Sequence, residues 1–368
     1  MQKRKYKIAL VGYKLNSGGL EKVMSVLSVY FGKVGIDVHN IVFVDDVKYP
    51  YSGTLVNIGM MKSGQSGVFS KLKLFLFFKK YIKENDFDYI IDFRYRIKPF
   101  QEYILSEFVY NSKTIYTVHN SHLQTYLPNS RFLTKQICKE KHSVVCVSNG
   151  ILELVKNKFQ LQNSVLIYNP IDLDEIETAA NEEIEIKSPY IIAAGRFSAN
   201  NVKQFDELIV AYSNSILPQK GVFLVLLGEG ESKDFYQKIA IKSGVADKVI
   251  FLGFNNNPYK YFRNAKFLVL CSKYEGFGIV LIESLACETP VISFDCISGP
   301  KEIIIDKENG LLVENQNFEK LTQAINLLEE DSALYEHCKN NALQSVSKFS
   351  VEKIGKQWFE LMKIDINS

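Results

Sequence analysis

The sequence predicts an α/β chain built as two parallel-sheet domains facing each other across a cleft, and three observations carry that expectation. A length of 368 residues suits two domains of ordinary size, each able to bury its own core. Short apolar runs alternate from end to end with segments of helical period, as parallel strands joined by crossover helices do. Near residue 170 this pattern breaks and then begins again.

In the first half, the apolar runs 8–12, 39–44, 89–93, 114–118, 143–147 and 165–168 are expected to be strands. The loop Asn16-Ser17-Gly18-Gly19 follows the first of them. After it, Leu20, Val23, Met24, Leu27 and Phe31 recur at helical spacing. Asn169-Pro170 interrupts the pattern, and residues 178–188 are polar and acidic, as a linker would be. The second half restarts with a strand over 190–194, a loop over 195–201 and a helix over 205–212. Strands are expected at 222–227, 249–252, 267–271, 291–294 and 310–313, then helices over 317–329 and 332–347. Ser350 is placed to cap a final amphipathic helix running through Trp358 to Met362. The expected organisation is a Rossmann-like domain over 1–172, a second over 173–349, and a helix over 350–368 returning to the first.

Composition excludes several classes. Hydrophobic residues at 46% and charged residues at 23% describe a globular chain, neither disordered nor fibrous. Six cysteines without a Cys-x-x-Cys pair read as reduced packing residues, which points to the cytoplasm. The basic start, Lys3-Arg4-Lys5-Tyr6-Lys7, precedes an apolar run too short for a signal peptide, and no run approaches the ~20 residues that span a bilayer. The formal net charge is only +3, giving no case for a nucleic-acid partner. Divided at residue 172, the halves differ. The first holds 24 Lys and Arg against 13 Asp and Glu, and the second holds 20 against 28.

The densest functional signal is Ser272-Lys273-Tyr274-Glu275-Gly276-Phe277-Gly278 running on to Glu283. The spacing of the two glutamates alone is uninformative. Their context adds more: a buried strand ends, a loop with two glycines follows, and a helix begins near Gly278. Glycines admit close backbone approach and a helix N-terminus favours an anion, so a diphosphate fits there. Glu283 lies about five residues into that helix, roughly 7.5 Å along its axis, a reach suited to a ribose. The competing reading is an exposed helix carboxylate. At the equivalent turn of the second domain's first unit stands Gly195-Arg196-Phe197, with Lys203 farther along. Fixed cations there would stabilise a departing nucleoside diphosphate, although singly each also reads as a surface charge.

Taken in order, Gly18-Gly19-Leu20-Glu21, Gly195-Arg196, Leu227-Gly228-Glu229-Gly230, the run 249–253, Glu275 through Glu283, and Asn309-Gly310-Leu311-Leu312-Val313 resemble the signature set of the retaining glycosyltransferases of family 4, which have the GT-B fold. One departure is local: Asn200-Asn201 lengthen the loop between Arg196 and Lys203. The resemblance implies that Glu283 holds the nucleotide ribose and that Arg196 and Lys203 hold the diphosphate. It implies that Glu275 and the amides of Gly276, Phe277 and Gly278 meet the transferred sugar and its phosphate. Gly18 and Gly19 would let the first domain close over the phosphates. His119, at a strand end, would touch the donor sugar near the reacting carbon, though such a histidine is also often a satisfied polar residue. His122 is a candidate to approach the acceptor.

The implied activity is transfer of a hexosyl or N-acetylhexosaminyl group, with retention, from a nucleotide-sugar, UDP in preference to GDP, to a saccharide acceptor. The expected setting is bacterial capsule, O-antigen or related surface glycan assembly, with a lipid-linked acceptor and no cofactor or metal. Two alternatives are a sugar-nucleotide epimerase on the same fold and a non-catalytic nucleotide-sugar-binding protein. Asp86-Phe87-Asp88 and Asp172-Leu173-Asp174 match a metal-binding Asp-x-Asp pattern, at a frequency chance explains. There is no Gly-x-Gly-x-x-Gly after the first strand, no P-loop and no Ser-His-Asp arrangement. Finally, residues 70–83 are basic and aromatic together. They read either as a helix lying on the anionic inner face of the cytoplasmic membrane or as a core helix edged by lysines.

Overall fold

The computed structural model describes residues 6–61 and 67–365, so the basic start at Lys3-Arg4-Lys5 lies outside the described residues. The chain forms two compact units. One holds the residues up to Ile171 together with the segment from Phe349 onward, and the other runs Asp172–Lys348.

In the first unit β1 (Lys7–Gly12) leads through α1 (Gly19–Lys33) to β2 (Asp37–Val42) and β3 (Thr54–Asn57). Next come α2 (Val68–Asn85), β4 (Tyr89–Asp92), α3 (Pro99–Phe108), β5 (Lys113–Val118), α4 (Arg131–Ile137), β6 (Ser143–Cys146), α5 (Asn149–Phe159) and β7 (Ser164–Leu166). All seven strands are parallel, in the order β3-β2-β1-β4-β5-β6-β7. The near-continuous apolar runs of β1 and β4 follow from this, since a central parallel strand is buried on both faces. Sequence reasoning overlooked β3, whose Thr-Leu-Val-Asn is short, polar at both ends and confined to the sheet edge.

The second unit begins with α6 (Leu173–Ala180), which occupies the start of the stretch expected to be linker. Asp172 caps this helix by accepting from the Glu175 amide at 3.0 Å, and Ile176 and Ala180 bury its inner face. Only residues 178–180 of the stretch are helical; Glu182, Glu183 and Glu185 follow the helix in a segment without helix or strand. The unit continues with β8 (Tyr190–Ala194), α7 (Phe205–Ser213), β9 (Phe223–Leu227), α8 (Lys233–Lys242), β10 (Val249–Gly253), α9 (Tyr259–Arg263) and β11 (Leu268–Leu270). It closes with α10 (Ile279–Ala286), β12 (Val291–Phe294), α11 (Pro300–Ile303), β13 (Gly310–Val313), α12 (Phe318–Glu330) and α13 (Ser332–Val346). The six strands are parallel in the order β10-β9-β8-β11-β12-β13.

The last helix, α14 (Val351–Met362), belongs to the first unit. Its Phe359 packs on Tyr30 and Phe31 of α1 at 6.1 and 5.3 Å between ring centroids. Ser350 caps it by accepting from the Lys353 amide, and the Tyr89 hydroxyl donates to the Met362 carbonyl. The six cysteines are all free and buried.

In each sheet the chain turns back once, at β1/β4 in the first unit and at β8/β11 in the second. In open parallel sheets ligands bind outside the carboxyl ends of the strands at such a reversal.

Candidate active site

Both loops that the sequence marked in the second unit leave strands flanking its reversal point: Gly195 onward after β8, and Ser272 to Gly278 after β11. The first is anchored from below. Phe197 is fully buried and packs edge-on against Phe205 and Tyr236 at 5.3 and 5.4 Å. The Gly195 and Phe197 amides donate to Leu227 and Glu229 carbonyls at 3.0 and 2.9 Å. This contact explains the Gly228-Glu229-Gly230 motif. A Cβ on Gly228 would lie 1.9 Å from the Gly195 oxygen, and one on Gly230 would lie 2.3 Å from the Phe197 oxygen. Arg196, between two anchored residues, is exposed.

The lengthened loop still delivers Lys203. Residues 198–201 fold into a turn closed by the Asn201 amide donating to Ser198, with Asn201 at φ 47°, a conformation asparagine tolerates. Its side chain donates to Asp206 and accepts from the Tyr236 hydroxyl. The Lys273 amide then donates to the Val202 carbonyl, drawing the two loops together. The Lys203 stem crosses over Gly195, where a Cβ would come 3.0 Å from its Cε. Its Nζ donates to Glu275 Oε1 at 2.6 Å. Two of the residues singled out from sequence, 72 positions apart, therefore form one ion pair.

The Glu275–Gly278 loop is held by Ser298, whose hydroxyl donates to the Gly276 carbonyl at 2.8 Å. Gly278, at φ 91°, opens α10. On that helix Glu283 Oε1 accepts from the hydroxyl of buried Tyr259 at 3.3 Å. Burial, with the Glu283 carboxylate beside it, keeps that phenol protonated by raising its pKa well above the ordinary value. Tyr259 was missed in the sequence, since its distance from Glu283 along the chain gives no signal.

Gly18, Gly19 and His119 lie in the first unit. Gly18 is extended at the start of α1, with the Glu21 carboxylate folded against it. His119 follows β5, its ring 5.8 Å from Phe93 and 6.2 Å from Tyr126. The residue is half-buried, and its Nε2 is buried and has no hydrogen-bond partner among the described residues. Burial, reinforced by the nearby Arg96 guanidinium, pushes the pKa of His119 down to about 3, so the imidazole is neutral near pH 7. His122 is exposed, its Nε2 2.7 Å from Gln124 Nε2.

Beneath His119 lies a buried charge cluster that sequence reasoning also missed. Arg94 donates to Asp92 Oδ2 at 2.7 Å and to Glu102 Oε2 at 2.8 Å. Arg96, wholly buried, donates to the carbonyls of Tyr126, Thr117, Arg94 and Asp92 at 2.6 to 3.2 Å. Burial opposes the charge on Asp92, but Arg94 and Arg96 outweigh it and hold its pKa below the usual carboxylate range. The available signal was Asp-x-Arg-x-Arg at alternating positions off a buried strand.

The Asp-x-Asp pairs serve the fold. Asp86 ends α2, Asp88 accepts from the Lys7 amide, and Asp172 caps α6. Among the described residues, no group of three or more His, Cys, Asp or Glu is arranged to hold a metal ion.

Two doubly wound parallel-sheet units define the GT-B class of proteins. Comparison with known proteins agrees. The family model "Glycosyl transferases group 1" matches residues 174–345, and "Glycosyltransferase Family 4" matches residues 17–175. A Campylobacter jejuni protein named N-acetylgalactosamine-N,N'-diacetylbacillosaminyl-diphospho-undecaprenol 4-alpha-N-acetylgalactosaminyltransferase is 31% identical over 365 residues, 95% of this chain and 97% of that one. The amylovoran biosynthesis glycosyltransferase AmsD of Erwinia amylovora is 26% identical, covering 94% and 96%. In fold, the chain resembles Anabaena HepE solved with UDP and glucose, at TM-score 0.77, 18% identity, and coverage of 97% and 99%. The chain belongs to the family 4 glycosyltransferases, and its activity is glycosyl transfer.

Proposed function

We propose that this enzyme transfers a hexosyl or N-acetylhexosaminyl group from a UDP-sugar, with retention and without a metal, to a lipid-linked saccharide in bacterial surface glycan synthesis of the capsule or O-antigen kind. The observation that carries this reading is the Lys203–Glu275 pair at the reversal point of the second sheet. A cation is fixed there on a rigid loop, where a departing diphosphate needs one. Arg196 supplies a second. In the free enzyme Glu275 neutralises Lys203; a bound diphosphate would share the lysine and leave the carboxylate to the sugar. Glu283, held by Tyr259, accepts from the ribose hydroxyls. The Gly276–Gly278 amides meet the sugar and its phosphate, and Gly18 and Gly19 leave the loop before α1 without side chains, as phosphate binding requires. His119, neutral and with Nε2 unpaired, is suited to hydrogen-bond an uncharged sugar. The acceptor oxygen attacks the anomeric carbon on the face that UDP leaves. Its proton passes to the departing phosphate oxygen, so the configuration is kept. The α-linked product and diphospho-undecaprenol acceptor in the Campylobacter relative's name support the retention and the lipid carrier.

The test is a screen of UDP- and GDP-sugars for thermal stabilisation, followed by transfer to polyprenyl-diphosphate-linked saccharides. UDP release that requires acceptor, with an α-linked product by NMR, is expected. An acceptor-independent change in the donor sugar would favour an epimerase, and binding without turnover a non-catalytic protein.

Membrane docking belongs to the same reading. None of the described helices is long and apolar enough to cross a membrane. On α2, however, Phe78 and Ile82 are buried while Phe69, Leu72 and Leu76 are exposed at helical spacing. Lys71, Lys73, Lys79, Lys80 and Lys83 are exposed beside or beyond them. Such a face suits the anionic inner leaflet of the cytoplasmic membrane. Co-sedimentation with phosphatidylglycerol vesicles at low salt is expected, and a chain that stays in the supernatant there would sink the idea.

A further inference from the structure

The sheet of the first unit has its own reversal point, between β1 and β4, and an aromatic pair stands at the carboxyl ends of those two strands. Tyr13 and Tyr95 lie with ring centroids 5.9 Å apart, and the Tyr13 hydroxyl donates to the Tyr95 carbonyl at 2.9 Å. Tyr95 is 37% exposed, unusual for an aromatic residue fixed so firmly from below. Its neighbours Arg94 and Arg96 point inward and are bound in the buried cluster, so strand-like alternation turns Tyr95 outward. Its ring meets Tyr126 edge-on at 5.4 Å, and Tyr126 is 6.2 Å from His119. Tyr126, itself buried, thus links the ring of Tyr95 to that of His119 from beneath, while Tyr95 and half-buried Tyr13 form the accessible aromatic face at the reversal point.

Among the described residues, the cations Lys14, Arg94 and Arg96 that flank the pair in the chain are already engaged. Lys14 pairs with Asp46 at 3.1 Å, Arg94 binds Asp92 and Glu102, and Arg96 is taken up by carbonyls. A phosphate has no available partner in this group. A pyranose is uncharged, offers a C–H face to an aromatic ring and presents hydroxyls to polar edges, which is the chemistry of this surface. We propose that Tyr13 and Tyr95 form a subsite for a pyranose ring of the saccharide acceptor, held rigid from below by Arg94 and Arg96. This rests on the transferase reading above only for calling the saccharide an acceptor.

The test uses the full chain with methyl N-acetyl-α-galactosaminide and methyl α-glucoside as probes, followed by saturation-transfer NMR. Wild type is expected to receive saturation on one C–H face of at least one glycoside. Tyr95→Ala should lose about 80% or more of that signal, consistent with a loss of roughly tenfold in affinity. Tyr95→Phe should keep it, and the affinity for UDP by calorimetry should stay within about twofold in both variants. An unchanged signal in Tyr95→Ala, a parallel fall in UDP affinity, or no saturation of either glycoside by wild type would each overturn the proposal. The binding signal does not require turnover, so failure of the transferase reading appears separately, as no acceptor-dependent UDP release from wild type.

Discussion

Lys203→Ala should lower kcat by about 10²–10³-fold, the usual cost of removing one fixed group that meets charge developing in a transition state. The proposed diphosphate role makes the loss fall on turnover. The leaving group's charge grows as the glycosidic bond breaks, so the lysine binds the transition state more strongly than the bound donor. Glu283→Ala should behave differently. The ribose does not change during the reaction, so a carboxylate that holds it contributes uniform binding. Its loss should raise the donor KM about tenfold or more, from loss of hydrogen bonds to a charged group, and leave kcat nearly unchanged. Steady-state kinetics with each variant separates the two roles. Near-wild-type kcat in Lys203→Ala, with donor KM unmoved, would remove Lys203 from the diphosphate site. Because Lys203 and Glu275 are both partly solvent-accessible, the folded chain should survive the substitution, and melting curves check this.

The second large effect is on stability. Asp92→Ala is expected to destabilise the first unit by about 3–5 kcal/mol, because removing one partner of a buried ion pair leaves the other charge uncompensated. Here the exposed loss is unusually concentrated. Asp92 is wholly buried and accepts from Arg94 and the Tyr110 hydroxyl, with Arg96 also 3.8 Å away. Urea unfolding followed by circular dichroism should show a lower midpoint for the first unit's transition. A midpoint within experimental error of wild type would mean that Arg94 finds compensation in Glu102 alone. Arg94→Met with Asp92→Leu, which removes both charges of the main pair, should be milder than Asp92→Ala.

Strands were the most legible part of the fold because a central parallel strand must be apolar on both faces, and the interior strands β8 and β12 span the apolar runs expected for them. β3 escaped notice because it is short and only partly buried at the sheet edge, and its two apolar residues make no run. The stretch read as a linker, 178–188, is one over 181–188, which has no helix or strand; only its first three residues belong to α6, whose short apolar face lies mostly before it. At the site, sequence order gave the loops and their glycines but not the partnerships. Lys203 reaches Glu275 through a turn at Asn201 that depends on a left-handed backbone conformation, and Tyr259 reaches Glu283 by tertiary packing alone. The Asp92–Arg94–Arg96 cluster was passed over despite its alternating pattern, because charges are read as surface unless their neutralising partners are known.

The return of α14 to the first unit also bears on the order in which the protein can be assembled. The second unit is one unbroken stretch, Asp172–Lys348, and is complete in the nascent chain before the first unit is. The first unit must wait for its final helix, whose aromatic face covers Tyr30 and Phe31 near the opposite end of the chain. Until the ribosome releases that segment, the oldest part of the polypeptide keeps an apolar surface uncovered. The single tryptophan of the sequence, Trp358, is buried on that same helix, so its fluorescence marks the moment when α14 meets α1.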